Sequence, residues 1–282
     1  MRNGQRWSFG IPWLACLLAA FVAMGDGGDK IASAQNPPEK AALPTLWLIG
    51  DSTVRNGQDL GNNGQWGWGN PIKHYFDASK INVQNKALGG TSSASYQTGG
   101  HWGKVHAAMQ PGDFLILQFG HNDAFTPRGT DDELHDIKNG RTGKLDNLHT
   151  FGWYIRKYIT DAREKKAAEV IVCSLIPRNR WTNGKVNRDK TYAVWSEESA
   201  KQEKALFINL NKVVSDRYDD LGQKVVEELF PEKEQVHPDW AGAVLNADCV
   251  VAELKKLENC QLAKYLLPAA PMGLKNPSGK AR

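Results

Sequence analysis

The chain has 282 residues, a formal net charge of +4, 41% hydrophobic and 23% charged residues. Those values fit a globular protein with a sizeable core and exclude a collagen, a coiled coil and bulk disorder. The small positive balance lies at the two ends, in 1–34 and 268–282, which leaves the stretch between them neutral; no nucleic-acid partner is expected, since nothing in the composition tracks phosphate.

In chain order, Arg2 and Arg6 precede an apolar run from Ile11 to Met24, and small residues follow up to Ala32-Ser33-Ala34. A basic start, a short apolar core and an A-x-A site predict a signal peptide over 1–34, with the mature chain starting near Gln35. The run is shorter than the roughly 20 residues that span a bilayer. The protein is therefore expected outside the cytoplasm, secreted or periplasmic, with no membrane partner once the leader is removed; an uncleaved anchor is the alternative.

Five short apolar runs follow: TLWLIG (45–50), INVQNKAL (81–88), DFLILQFG (113–120), EVIVCSLI (169–176) and the weaker ALFINL (205–210). Runs of this length bounded by Gly or Pro suit strands buried on both faces, as in a parallel sheet. Leu148, Phe151, Ile155, Tyr158 and Ile159 set a helical spacing over 147–166, and Val244, Leu245, Val251 and Leu254 do so over 241–257. Strands alternating with helices predict one α/β domain over 35–267, with three layers and a mostly parallel five-stranded sheet of flavodoxin-like type. The polar stretch from Thr126 to Lys144 reads as a loop, functional or merely solvated, and 268–282 as a mobile tail. Cys173 is expected as a free core thiol, while Cys249 and Cys260 leave pairing open, since export permits disulfides.

The chain has no phosphate-binding Gly-rich motif and no H-E-x-x-H, and its seven histidines are scattered. No cofactor and no metal are expected. The informative places are the strand ends. Gly50-Asp51-Ser52-Thr53 puts a serine after the first run, where a tight turn can expose its hydroxyl. Gly89-Gly90 closes the second run, and Gly120-His121-Asn122-Asp123 closes the third. Each alone is equally a turn or a cap. Near the C-terminus, Glu234 lies three residues before His237, a spacing from which a carboxylate reaches an imidazole nitrogen and fixes its tautomer. Together these residues bring a nucleophile, oxyanion donors, a base and an orienting acid to one edge of one sheet.

The blocks LIGDSTV, GWGNPIKHYF (67–76), NKALGGTSSASY (85–96), FGHND (119–123) and VHPDWAGA (236–243) resemble, in order, those of the SGNH or GDSL hydrolases. The resemblance is strongest to the rhamnogalacturonan acetylesterase branch and covers about 45–258. It implies Ser52 as nucleophile and His237 as general base, with an oxyanion hole formed by the Ser52 and Gly90 N–H groups and the Asn122 side chain. The chain departs from the family's pattern at Glu234, where Asp is usual, at Thr91, where Arg is common, and at Pro238, which replaces Thr. Glu232 and Asp239 are rival acids. The implied activity is removal of acetyl groups from an O-acetylated polysaccharide such as rhamnogalacturonan or pectin, with the polymer as the expected partner. Trp66, Trp68, Trp102, Trp181, Trp195 and Trp240 lie in or near predicted loops, where exposed indole faces could stack on sugar rings. The rival readings are an esterase, lipase or thioesterase for small or lipidic esters, and a carbohydrate-binding protein without catalysis.

Overall fold

The computed structural model describes residues 42–138 and 143–279, so the expected leader lies outside the described residues. In chain order its elements are β1 (Thr45–Gly50), β2 (Asn82–Asn85), α1 (Ser93–Thr98), α2 (His101–Ala108), β3 (Phe114–Gln118), β4 (Leu134–Lys138), β5 (Leu145–His149), α3 (Phe151–Glu164), β6 (Glu169–Cys173), β7 (Trp181–Thr182), β8 (Lys185–Val186), α4 (Tyr192–Gln202), β9 (Leu206–Ile208), α5 (Leu210–Leu221), α6 (Gln223–Glu227) and α7 (Trp240–Leu254). No described helix is long and apolar enough to cross a membrane.

The five apolar runs form one sheet in the order β2-β1-β3-β6-β9, every pairing parallel. Their continuous hydrophobicity follows from burial on both faces. Leu46, Leu48, Ile116, Ile171 and Cys173 point to one side, where Tyr218 of α5 and Val250 and Leu254 of α7 cover them. Trp47, Ile49, Leu115, Leu117, Val170 and Val172 point to the other, under Val105 of α2 and Ile155, Tyr158 and Ile159 of α3. Each fully buried side chain of this size contributes roughly 1.5–3 kcal/mol, so the two faces together make a three-layer α/β/α core.

Counting only the strands of this sheet, the order is 2-1-3-4-5, the flavodoxin-like arrangement. The chain leaves β1 to one side for β2 and returns to the other for β3. That reversal opens a crevice at the carboxyl ends of β1 and β3, the place where open α/β sheets bind ligands.

The 126–144 stretch is not a plain loop: β4 and β5 form an antiparallel hairpin, Leu134 opposite His149 and Lys138 opposite Leu145. The hairpin takes the start of the predicted 147–166 helix, and α3 begins only after Thr150, whose side chain caps it by accepting from Trp153 N–H. A second small hairpin, β7–β8, turns at Asn183-Gly184, both with positive φ, as the favoured two-residue hairpin turn requires. Cys173, Cys249 and Cys260 are all free thiols. In the tail, the Leu274 carbonyl accepts from Trp240 Nε1 at 2.7 Å.

Candidate active site

Ser52 sits in the turn that leaves β1. The Asp51 carbonyl accepts from Val54 and Arg55 N–H at 3.1 Å each, so the chain bends back at once and leaves the serine partly exposed. A Cβ on Gly50 would lie 2.5 Å from the Gln118 carbonyl and 2.6 Å from Val54 Cγ2, so only glycine lets β1 and β3 close at this point. Beneath the turn a buried chain of hydrogen bonds fixes it. Trp68 Nε1 donates to Gln118 Oε1 at 2.8 Å, and Gln118 Nε2 donates to Thr53 Oγ1 at 2.6 Å. Thr53 in turn donates through N–H and Oγ–H to Asp51 Oδ1.

Ser52 Oγ lies 2.8 Å from His237 Nε2, 185 residues away in the chain. His237 rides on the loop entering α7, whose first turn is capped by Asp239 Oδ1 accepting from Gly242 N–H. That loop is tied down by Trp66 N–H donating to the Pro238 carbonyl at 2.8 Å and by edge-on packing of Trp66 on Trp240.

Glu234 is the carboxylate next to His237, its Oε1 3.5 Å from Nδ1. That is an ion-pair distance and too long for a direct hydrogen bond; Nδ1 is buried without a hydrogen-bond partner. The extra methylene folds Oε1 back onto its own loop, where it accepts from the N–H groups of Gln235, Val236 and His237. Oε2 accepts from Gln65 Nε2 at 2.8 Å. Burial favours the neutral acid, but the Val236 and His237 N–H groups and the His237 ring outweigh it, and Glu234 titrates below the usual range. Of the rival acids, Glu232 is exposed and faces Lys233, and Asp239 caps α7.

The second and third strand ends complete the arrangement. Gly90 has φ +80°, and neither its N–H nor that of Ser52 has a hydrogen-bond partner among the described residues. Asn122 Nδ2 donates one hydrogen to the Thr91 carbonyl at 3.1 Å, leaving its second for the cleft. Thr91 uses its hydroxyl within its own turn, on the Leu88 carbonyl. Next to Asn122, Asp123 is fully buried, with Oδ1 accepting from Ser93 and Thr126 and Oδ2 unpartnered. Burial pushes its carboxyl up to about 6 against those hydrogen bonds.

Ser52, Gly90, Asn122 and His237 line one cleft of about 610 Å³, within the usual range for ligand sites. Its other walls hold residues that sequence reasoning did not single out, among them Arg55, Gln65, His121 and Arg178. Arg55 is engaged by Asp59 through two hydrogen bonds. Both ring nitrogens of His121 are buried and unpartnered. Burial holds that imidazole below its usual range, Asp51 pulling the other way and Arg178 and His237 adding to the fall. The tryptophans correct the expectation of an indole-lined surface. Trp66, Trp68, Trp102 and Trp240 belong to the core, and only Trp181 and Trp195 of the six are partly exposed. Among the described residues, Asp131, Glu133 and His135 bring ligand-type atoms within 4.8 Å of one another, at the surface and away from the cleft lining.

With this geometry in hand, the likenesses to known proteins can be placed. Residues 48–245 match the model of the GDSL-like Lipase/Acylhydrolase family. YxiM of Bacillus subtilis, described as an uncharacterized esterase, is 29% identical over 90% of this chain and 64% of its own length. The chain therefore spans less than two thirds of that relative. A rhamnogalacturonan acetylesterase of Emericella nidulans is 26% identical over 74% of this chain and 83% of its own. The crystal structure of YxiM superposes with a TM-score of 0.65 at 27% identity, over 76% of this chain and 57% of that one. Axe2, an acetylxylan esterase of Geobacillus stearothermophilus, shares the fold, with a TM-score of 0.52 at 16% identity over 75% and 94% of the two chains.

Proposed function

The chain belongs to the GDSL-like lipase/acylhydrolase family, and from that premise we propose that it is a secreted serine esterase that removes acetyl groups from an O-acetylated polysaccharide of the rhamnogalacturonan or pectin type. The observation that carries the reading is the 2.8 Å contact of Ser52 Oγ with His237 Nε2 in the wall of a cleft that Gly90 and Asn122 also line. Relatives named as rhamnogalacturonan acetylesterases support the substrate class.

In this reading Ser52 Oγ attacks the acetyl carbonyl carbon while its proton passes to His237 Nε2. The carbonyl oxygen becomes an oxyanion held by the Ser52 and Gly90 N–H groups and the free Asn122 amide hydrogen. One such donor is typically worth about 10²–10³ in rate. The C–O bond to the sugar then breaks, and the imidazolium returns its proton to the leaving hydroxyl. Water, deprotonated by His237, attacks the acetyl carbon; the bond to Ser52 Oγ breaks, the imidazolium returns its proton to Oγ, and acetate leaves. Glu234 stabilises the imidazolium across 3.5 Å; catalytic contacts that are long in the free enzyme commonly tighten as charge develops.

The test is acetate release from a panel of acetylated polysaccharides, alongside nitrophenyl esters from acetate to octanoate. Nitrophenol release should be confined to the short acyl esters, and acetate release should vanish in a folded Ser52→Ala variant. A Ser52→Ala protein with near wild-type turnover, or a preference for octanoate, would overturn the reading.

A further inference from the structure

The lining of the catalytic cleft contains two arginines and no carboxylate. Arg55 has its charge matched by Asp59 at 2.8 Å. Arg178 does not. It follows the end of β6 on the same sheet edge as Ser52 and is partly buried. Among the described residues no carboxylate lies within ion-pair distance of its guanidinium, whose one hydrogen bond, to the His121 carbonyl, is long at 3.5 Å. Beside it stands His121, with two buried, unpartnered ring nitrogens. The rest of the wall is neutral and amide-rich, with Asn56, Gln58, Asn62 and Gln65.

A guanidinium in a cleft wall with no protein carboxylate beside it is held by water in the free protein and is available to an anionic ligand. Its planar fork matches a carboxylate in two parallel hydrogen bonds. The amides around it suit hydroxyl groups rather than further charge. We propose that Arg178 is the residue that reads the carboxylate of the uronic acid units in the pectic substrate proposed above, so that an acetylated chain with those carboxylates neutralised is the poorer substrate. This rests on the acetylesterase reading above and adds to it the residue that sets the charge preference.

The experiment uses the full-length mature enzyme and two matched probes: an acetylated oligogalacturonide, and the same oligosaccharide with its carboxyls methyl-esterified. Wild-type kcat/KM should favour the free acid by roughly tenfold to a hundredfold, as a charge-assisted pair contributes, and the preference should shrink as salt rises. Arg178→Gln should lose that preference through a higher KM on the acid probe, and Arg178→Lys should keep part of it. Circular dichroism and the thermal midpoint of both variants report folding. If Arg178→Gln fails to fold, the wild-type preference, its salt dependence and the Arg178→Lys ratio still decide. Equal wild-type turnover of both probes, or an unchanged preference in Arg178→Gln, overturns the role of Arg178 while leaving the acetylesterase reading intact. Release of acetate from neither probe, with turnover of long-chain nitrophenyl esters, overturns both.

Discussion

At the scale of single residues, Glu234 is one of three positions, with Thr91 and Pro238, where the sequence departs from the pattern it resembles. Glu234 spends Oε1 on three main-chain N–H groups and Oε2 on Gln65. Its charge still lies 3.5 Å from the imidazole. Glu234→Gln should therefore lower kcat by about 10²–10⁴ with little change in KM, since an amide cannot stabilise imidazolium. Glu232→Gln should be silent, and Asp239→Asn should cost no more than about 1 kcal/mol of stability through the α7 cap. Steady-state kinetics on the three variants check the assignment, and full turnover in Glu234→Gln would remove that carboxylate from the triad. Asp123 makes a different prediction. Its folded carboxyl is pushed up to about 6 from an ordinary 3.8, so the folded state binds the proton more tightly than the unfolded one. The stability it adds is complete below about pH 4 and lost as pH rises through about 6. Asp123→Asn, which cannot titrate, should gain stability relative to wild type across that window. Denaturation at pH 4, 5, 6 and 7 reads this directly, and parallel curves would contradict it.

Secondary-structure elements explain what could be read in advance. Strands buried on both faces leave unbroken apolar runs, so β1, β3 and β6 stand out in the sequence, and α3 shows its one buried stripe. The β4–β5 hairpin does not, because its residues are largely exposed and polar, with Leu134 55% and Leu145 67% accessible. The candidate site is legible where a residue follows closely on an apolar strand run, as Ser52, Gly90 and Asn122 do after β1, β2 and β3. Gln65 and Arg178 lie on irregular segments where an amide or a guanidinium carries no periodic signal, and only the fold brings them to the cleft lining. Strand ends also yield a prediction. Gly50→Ala places a Cβ 2.5 Å from a main-chain oxygen of β3, in a backbone with φ +155°. It should cost roughly 2–4 kcal/mol. At Gly90 a Cβ meets nothing within 4 Å, so Gly90→Ala should cost only about 1–2 kcal/mol from its positive φ. Urea unfolding of the two variants tests that order, and equal losses would mean that β1 and β3 can part locally.

Over the whole molecule, one reversal of strand order gathers residues from four separate stretches, and the two helical layers bear the cost of holding them in place. Cross-links contribute nothing to this among the described residues. Cys173 lies in β6 facing the core, Cys249 is buried in α7, and Cys260 follows α7 with its thiol donating to Glu169 Oε2. Burial pushes Cys249 up to about 12 and Cys260 to about 11, with acidic neighbours adding to it. Thiols held this far toward the neutral form are poor nucleophiles for disulfide exchange. An engaged disulfide typically contributes about 2–4 kcal/mol, which in a domain of this size moves the melting point by several degrees. The thermal midpoint should therefore be the same with and without a reductant. Thiol titration of the denatured chain should count Cys173, Cys249 and Cys260 all as free sulfhydryls. A midpoint that falls by several degrees on reduction, with one thiol counted, would show that Cys249 and Cys260 pair in the native enzyme and that α7 is cross-linked to the segment following it.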